Sequence, residues 1–330
     1  MTRDASVSNR DFGLDTRAMG DFAEYLIDDS WTETIEKDLL AMNEGKIGRP
    51  FSFTDKAIEW AMRLKHALGK SYRFIRGLLN YFLKKHGLPG ISLTQIFVRC
   101  RKISAVGGAD GRILASGSCN VDVSEAPISV AVDSTGMSLN KYGGWLAYHW
   151  NKKPVTGWIK LHAAVDPDSN RILAYAVTDE RCGDVNILGP LVEDVISAGH
   201  SVNKILADAA YDKKSYWSEY TAKKIDVAIN IKSPQLNKHN PTGRLEMKAH
   251  GCMPRAKEMM RIRDVGRDQW KQEVGYGRRW KVECTFSDIK RLFGDILRSR
   301  TRQTDVEETV AKVHLLNEYK GIRMRCQESR

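Results

Sequence analysis

The sequence lacks the features that mark membrane and secreted proteins. No stretch reaches the roughly 18 consecutive apolar residues that a transmembrane helix requires. Its first residues, Met1-Thr2-Arg3-Asp4, do not combine a basic region with an apolar one, as a secretory signal would. We therefore expect a globular protein of the cytoplasm.

Paired cysteines are also missing. The six cysteines are scattered along the chain, and no two form a C-x-x-C motif. This spacing predicts neither a disulfide framework nor a zinc ribbon. Reduced, structural thiols are the expected state in a cytosolic protein.

Acidic residues are scarce in one segment of the chain. Between Gly45 and Lys102 there are 13 basic and 2 acidic residues, whereas Met1–Met42 has 10 acidic and 4 basic residues. The whole chain carries a net charge of +11. Such a switch from an acidic to a basic block is typical of nucleic-acid contact, although a solvated, lysine-rich helical face remains the alternative.

The basic segment predicts three short helices. Thr54, Ser71 and Ser92 stand where helix caps belong. Apolar residues at helical spacing are expected to face inward: Phe74, Leu78 and Phe82 in the second helix, and Leu93, Ile96, Phe97 and Cys100 in the third. The expected outward, DNA-contacting residues of the third helix include Arg99, Arg101 and Lys102. The arrangement favours a helix-turn-helix-like module, with a dimerisation bundle as the alternative.

Composition divides the chain into four parts. We predict an acidic N-terminal arm at 1–45, a helical DNA-binding domain at 46–105 and a Gly/Ser-rich linker at 106–126. Residues 127–330 form the predicted catalytic domain, with a polar, irregular insertion around 232–264.

Strand and helix patterns alternate in the predicted catalytic domain. Strands are expected at Ile128–Val132, Trp158–Val165, Ile172–Val177, Lys204–Ala207 and Asp226–Ile231. Helices are expected at Val185–Ala198 with Asp184 as its cap, and at Lys213–Lys223, Gly277–Phe293 and Glu307–Ile322. The first three strands would form an antiparallel meander and the later ones would pair in parallel. This order resembles the α/β ribonuclease H-like fold, a mixed sheet with flanking helices, here preceded by a small all-helical domain.

Two aspartates follow apolar strands of this pattern. Asp133 comes after Val130-Ala131-Val132, and Asp208 comes after Ile205-Leu206-Ala207. Because ligands of open α/β sheets gather at strand ends, the two carboxylates would meet if these strands are neighbours. Each aspartate taken alone is also compatible with a turn or a helix cap. We assign helix capping to Asp212.

A third carboxylate lies on the predicted helix at 277–293. At about 100° per residue, Tyr276, Arg279, Glu283 and Lys290 fall within roughly one sixth of its circumference. A neighbouring apolar stripe contains Val282, Phe286, Ile289 and Phe293. A carboxylate surrounded by cations suits a site that handles metal ions and DNA phosphate, although an amphipathic helix with surface salt bridges has the same pattern.

These residues carry a family resemblance. The run from Tyr276 to Lys290 fits Y-x2-R-x3-E-x6-K and resembles the signature of the IS4/IS5 insertion-sequence transposases. The segments 128–136 and 207–212 are similar to the first and second aspartate blocks of that family. The resemblance covers residues 48–322 and leaves the acidic arm outside.

The resemblance implies a DDE transposase that acts on DNA. Three catalytic carboxylates would hold two ions, Mg²⁺ or Mn²⁺: Asp133, Asp208 and Glu283. Water would attack the phosphodiester at the transposon end, and the freed 3′-OH would attack target DNA. The other signature residues would contact DNA: Tyr276, Arg279 and Lys290. A homodimer or larger assembly is expected because two transposon ends must be held together. The expected location is the cytoplasm of a prokaryote, in association with the nucleoid.

Three other functions remain open. A ribonuclease H-like nuclease that cuts without joining strands would use the same carboxylates. A non-catalytic DNA-binding protein derived from a transposase is a second alternative, which the intact triad disfavours. A metal-dependent phosphatase is disfavoured by the charge distribution.

Overall fold

The computed structural model describes residues 5–103, 113–139, 157–231, 252–299 and 301–329, with side chains from residue 16 onward. The chain divides into two compact units. The helical unit comprises Met1–Gly107 and Arg291–Arg330, and the α/β unit comprises Gly108–Lys290. Within the described ranges, no helix is both long and apolar enough to cross a membrane.

In the described ranges, five helices precede the first strand: α1 (Ala5–Ile27), α2 (Ile35–Asn43), α3 (Asp55–Leu68), α4 (Tyr72–Lys85) and α5 (Leu93–Ile103). The predicted caps of the last three are confirmed. The hydroxyls of Thr54 and Ser71 each accept a backbone N–H from the first turn of their helix. Ser92 and Gln95 form reciprocal bonds of 3.0 and 3.2 Å, which is a capping box.

Helix α4 carries two apolar stripes, one residue apart. The structure buries Ile75, Leu79 and Leu83. The predicted stripe, which begins at Phe74, lies about 100° around the helix from this buried stripe. Phe74 itself is 49% exposed. Phe97 of α5 is also exposed, against prediction. Both stripes have helical spacing, so packing against neighbouring helices decides which one is buried.

Strands dominate the α/β unit: β1 (Ile113–Ser118), β2 (Ile128–Leu139), β3 (Trp158–Val165), β4 (Ile172–Asp179), β5 (Val202–Ala207) and β6 (Asp226–Ile229). They lie in the order β1-β4-β3-β2-β5-β6. The meander β2-β3-β4 is antiparallel, while β5 pairs in parallel with both β2 and β6. The antiparallel meander and the parallel pairing of the later strands are confirmed, and the structure adds that β5 lies beside β2, which the sequence leaves open.

Strand β1 was not predicted. It lies in the segment 106–126, for which composition predicts a linker, and it pairs antiparallel with β4 at the sheet edge. Glycine and serine in its sequence, ILASGS, lower its intrinsic strand preference. The pairing with β4 therefore decides its conformation.

Further helices of the described residues lie between and after these strands: α6 (Leu188–Ser197), α7 (Lys214–Ala222), α8 (Met253–Val265), α9 (Arg267–Glu273) and α10 (Trp280–Phe293). Asp184 does not cap α6 as predicted, because a separate 3-10 turn at Asp184–Asn186 precedes that helix. Helix α8 replaces the end of the predicted irregular insertion at 232–264, and a proline in its first turn suits a helix start. Residues 232–251 lie outside the described ranges.

The core of the α/β unit lies between the sheet and α6 and α7. Val130 and Val132 of β2 pack in one buried cluster with Leu188 and Leu191 of α6 and Tyr220 of α7. Because side chains alternate along a strand, Asp133 points to the opposite face of the sheet from Val132. The sheet with flanking helices is the predicted ribonuclease H-like architecture.

The chain ends with a short strand, β7 (Ile296–Leu297), and a long helix, α11 (Arg302–Glu328). Thr301 caps α11 together with Thr304. The aromatic rings of Phe22 in α1 and Tyr319 in α11 lie 5.5 Å apart, centroid to centroid. The described part of the predicted acidic arm is therefore helical, and α1 packs against α11 within the helical unit.

Candidate active site

Strand register places the two aspartates side by side. Val132 of β2 is the parallel partner of Ala207, the last residue of β5. The residues that follow them, Asp133 and Asp208, are therefore adjacent across the sheet. Asp133 does not end its strand as predicted, since β2 continues to Leu139 and Asp133 pairs with Ala163 of β3. The residues after Asp133 are small or polar, so their pattern does not indicate that the strand continues.

Backbone hydrogen bonds orient both aspartates. One oxygen of Asp208 accepts the N–H of Ala210, so that Asp208 caps the 3-10 turn Ala209–Tyr211. Oδ1 of Asp133 accepts the N–H of Ser134 at 2.8 Å. Each carboxylate is thus held close to the backbone that carries it.

Arg279 joins Asp133 to the third carboxylate. Its Nη1 donates to Oδ2 of Asp133 at 2.7 Å, and its Nη2 donates to Oε1 of Glu283. The Arg279 side chain is 18% exposed and that of Glu283 is 56% exposed. A single guanidinium therefore bridges two of the three predicted catalytic carboxylates.

The three carboxylates also influence one another electrostatically. Burial raises the pKa of Asp133, and the negative charges of Asp208 and Glu283 add to the increase. The Ser134 N–H and the Arg279 guanidinium act in the opposite direction. A partly buried, mutually repelling set of carboxylates is stabilised by positive charge, which here comes from Arg279.

Tyr276 is not on the edge of α10, where a continuous helix would place it. It lies in a 3-10 turn, Tyr276–Arg279, which follows Gly275 in the left-handed conformation. Its ring is buried, and its hydroxyl donates to the carbonyl of Ala207 at 3.2 Å. Tyr276 therefore fixes the end of β5 immediately before Asp208.

The predicted DNA-contacting cations differ in their surroundings. Lys290 is half-buried, two turns after Glu283 on α10. Arg99 is not outward as predicted, because it donates to the Phe53 carbonyl and to Asp55. Arg101 and Lys102 are exposed, and Arg101 donates to Gln303 at 2.9 Å.

A partly buried polar network lies on the face of the sheet opposite Asp133, and sequence patterns did not predict it. Nζ of Lys160 donates to Asp184 and to the Cys182 carbonyl, both at 2.9 Å. The 3-10 turn of Asp184 packs against the turn that Asp208 caps. Nothing near Lys160 in the sequence indicates that Asp184 is its partner.

His162 belongs to the same network. Its Nε2 lies 3.0 Å from the Thr178 hydroxyl, and its Nδ1 lies 3.9 Å from Asp184. Burial lowers the pKa of His162 to about 4, while the Asp184 charge acts in the opposite direction. The imidazole is therefore neutral near pH 7.

Asp212 has a structural partner and does not cap a helix. Its Oδ1 accepts Nε of Arg255 at 2.8 Å and Nε1 of Trp217 at 3.0 Å, and its Oδ2 accepts Nη2 of Arg255. Helix α7 begins after Lys213, which makes no side-chain cap. The predicted capping role is wrong, since the Asp212 carboxylate binds Arg255 instead. This partner could not be foreseen, because Arg255 lies on α8, in a stretch where no helix was expected.

The residues suit divalent ions by their chemistry. Carboxylate oxygens are the protein ligands that Mg²⁺ and Mn²⁺ prefer. Arg279 shows that a cationic group is accommodated between Asp133 and Glu283. Among the described residues, however, no three His, Cys, Asp or Glu side chains already form a metal-ligating group. Arg279 contacts two of the three carboxylates, whereas Asp208 accepts a bond from the turn that it caps.

A comparison with protein-family models agrees with this geometry. The model described as "Transposase DDE domain" matches residues 126–317. The match begins just before β2, ends within α11 and covers more than half of the 330 residues. It includes all three carboxylates. DDE transposases process DNA and generally use divalent metal ions. The chain belongs to the transposase DDE-domain family, and its α/β unit is ribonuclease H-like.

Proposed function

We propose that the chain is an insertion-sequence transposase of the IS4/IS5 type, which cleaves DNA at the ends of its element and joins them to target DNA. The observation that carries this proposal is the register of β2 and β5, which sets Asp133 beside Asp208. The link from Asp133 through Arg279 to Glu283 adds the third carboxylate. The spacing from Tyr276 to Lys290 supports the IS4/IS5 assignment.

Asp133, Asp208 and Glu283 would hold two ions, Mg²⁺ or Mn²⁺. When bound, these ions would activate the attacking oxygen and stabilise the leaving one. In the first step water attacks the phosphorus and the bond to the 3′ oxygen breaks, which leaves a 3′-OH. In the second step this 3′-OH attacks the phosphorus of a target phosphodiester in line, so that a new P–O bond forms while the target strand's own P–O3′ bond breaks and leaves a 3′-OH on the target. Neither step needs a covalent bond to the protein.

The cations beside the carboxylates would bind DNA phosphates. Arg279 is already in contact with two members of the triad, and Lys290 lies on the same edge of α10 as Glu283. Bidentate arginine–phosphate contacts combine charge with directionality. For Tyr276, whose ring is buried, we propose a positioning role through Ala207 in place of DNA contact.

Residues 46–105 would recognise the element's ends, and residues 127–330 would carry the chemistry. The excess of basic residues between Gly45 and Lys102 supports DNA contact by the first domain. Within it, Arg101 and Lys102 are exposed, whereas Arg99 is paired with Asp55. A homodimer or larger complex in a prokaryotic cytoplasm would bring two ends together.

A cleavage and strand-transfer assay tests the proposal. It uses Mg²⁺, the element's own terminal DNA, and the variants Asp133→Asn and Glu283→Gln. Asp226→Asn, which changes an exposed carboxylate at the start of β6, serves as the matched control. We expect cleavage and joining in the wild type and the control, and loss of both in the two site variants with DNA binding retained.

The other outcomes separate the alternatives. Cleavage without joining in the wild type would indicate a nuclease. DNA binding without any metal-dependent chemistry would indicate a non-catalytic protein derived from a transposase. Full activity in Asp133→Asn would remove the proposed site.

A further inference from the structure

We infer that Arg279 occupies the catalytic carboxylates of the DNA-free protein, so that metal binding is coupled to DNA binding. The inference rests on the proposed function, because it concerns regulation of the same site. The Arg279 guanidinium has two alternative sets of partners. Without DNA the guanidinium binds Asp133 and Glu283, and with DNA the guanidinium binds a phosphate.

The contacts of Asp133 show what a metal ion would have to displace. Oδ1 receives the Ser134 N–H at 2.8 Å, and Oδ2 receives Nη1 of Arg279 at 2.7 Å. Both oxygens therefore already have donors. An ion that binds Oδ2 and Glu283 competes directly with the guanidinium, and the two positive charges would repel each other at this distance.

Deprotonation cannot release Arg279, because a guanidinium stays charged at any ordinary pH. Release requires movement of the side chain to another anion. The guanidinium carbon lies 5.8 Å from the ring centre of Tyr276, which is itself fixed to the Ala207 carbonyl. On the side of the guanidinium that faces Glu283, the ion pair is accessible to solvent, since Glu283 is 56% exposed. A DNA phosphate can approach from that side.

The chain offers a matched control in the adjacent residue. Arg278 belongs to the same 3-10 turn and has the same charge. It pairs with Asp168 and donates to the Ser129 hydroxyl at 3.3 Å. Replacing Arg278 therefore changes the local charge by the same amount without freeing Asp133 or Glu283.

Mn²⁺ binding by the full chain tests the inference without relying on activity. Free Mn²⁺ is measured by electron paramagnetic resonance, with and without a duplex that carries the element's end, and binding to the duplex alone is subtracted. The wild type should bind Mn²⁺ at least about tenfold more tightly with DNA, the equivalent of about 1.4 kcal/mol. Arg279→Gln should bind tightly without DNA and lose most of this dependence. Arg278→Gln should behave like the wild type.

Two further variants keep the outcome interpretable. Asp133→Asn should abolish the site-specific binding in every condition. Arg279→Lys, which keeps the charge but loses the two-pronged geometry, should fall between wild type and Arg279→Gln. Circular dichroism verifies that each variant is folded.

The inference fails if Mn²⁺ affinity is the same with and without DNA while Asp133→Asn still abolishes binding. It also fails if Arg279→Gln does not tighten binding without DNA, or if Arg278→Gln tightens it equally. Failure of the proposed function has a different signature. In that case Mn²⁺ either does not bind any variant or binds Asp133→Asn as well as the wild type.

Discussion

The ion pair between Asp212 and Arg255 should be among the costliest polar contacts of the α/β unit to break. The Asp212 side chain is 7% exposed and that of Arg255 is 13% exposed. Both oxygens of Asp212 accept bonds from Arg255, and Trp217 adds a third donor. The pair links the segment before α7 to α8, two parts of the chain that are 43 residues apart.

The expected cost follows from this burial. Removing one member of a buried ion pair leaves the other charge desolvated and typically costs about 3–5 kcal/mol. We expect that loss for Asp212→Ala and for Arg255→Ala. The double variant should cost clearly less than the sum, because neither charge is then left alone. The half-exposed pair Lys223–Glu193 provides the comparison, since exposed pairs contribute about 1 kcal/mol or less.

Urea unfolding at pH 7, followed by tryptophan fluorescence, measures these differences. The free energy of unfolding should fall by about 3–5 kcal/mol in each single variant and by less than about 1 kcal/mol in Lys223→Met. Single variants within about 1 kcal/mol of wild type would refute the reasoning. So would a double variant whose loss equals the sum of the single losses.

Two further predictions concern the surroundings of the site. Tyr276→Phe removes the hydrogen bond to Ala207 and should cost about 0.5–1.5 kcal/mol of stability. It should also slow cleavage without changing DNA affinity, and a weaker DNA affinity in a binding titration would instead favour direct contact. His162 has a folded pKa of about 4, below the unfolded value of about 6.5, so its stabilising contribution is lost as pH falls through that window. The melting temperature should therefore fall more between pH 7 and pH 5 in the wild type than in His162→Gln. Equal decreases in the two proteins would contradict this assignment.

Much of the α/β unit could be predicted from local patterns. The β-branched runs and the helical segments between them indicate the order of β2 to β6 along the chain, and the short turn between β3 and β4 favours their antiparallel pairing. The stripe of Val282, Phe286 and Ile289 on α10 is buried as its helical spacing predicts. Asp133 and Asp208 each follow an apolar strand, which predicts that they meet if those strands are neighbours, and β2 and β5 are neighbours in the sheet.

What could not be predicted depends on contacts between distant residues. Asp212 and Arg255 have no common local pattern, and α8 itself lies in a stretch that reads as irregular. Tyr276 has helical spacing relative to Glu283, but Gly275 starts a 3-10 turn that turns its ring inward. In each case the local pattern permits two conformations, and a partner elsewhere in the chain selects one.

The three proposed catalytic carboxylates are not held with equal firmness. Asp133 is fixed by a strand that is paired on both sides, and Asp208 is fixed by the turn it caps at the end of β5. Glu283 projects from a helix, is more than half exposed, and is held by Arg279. When Arg279 moves to a phosphate, Glu283 is therefore the carboxylate whose side chain must find a new position. In the proposed mechanism the two aspartates would provide a firmly held base for metal ions, and completion of the site would depend on the one carboxylate that is released when Arg279 binds DNA.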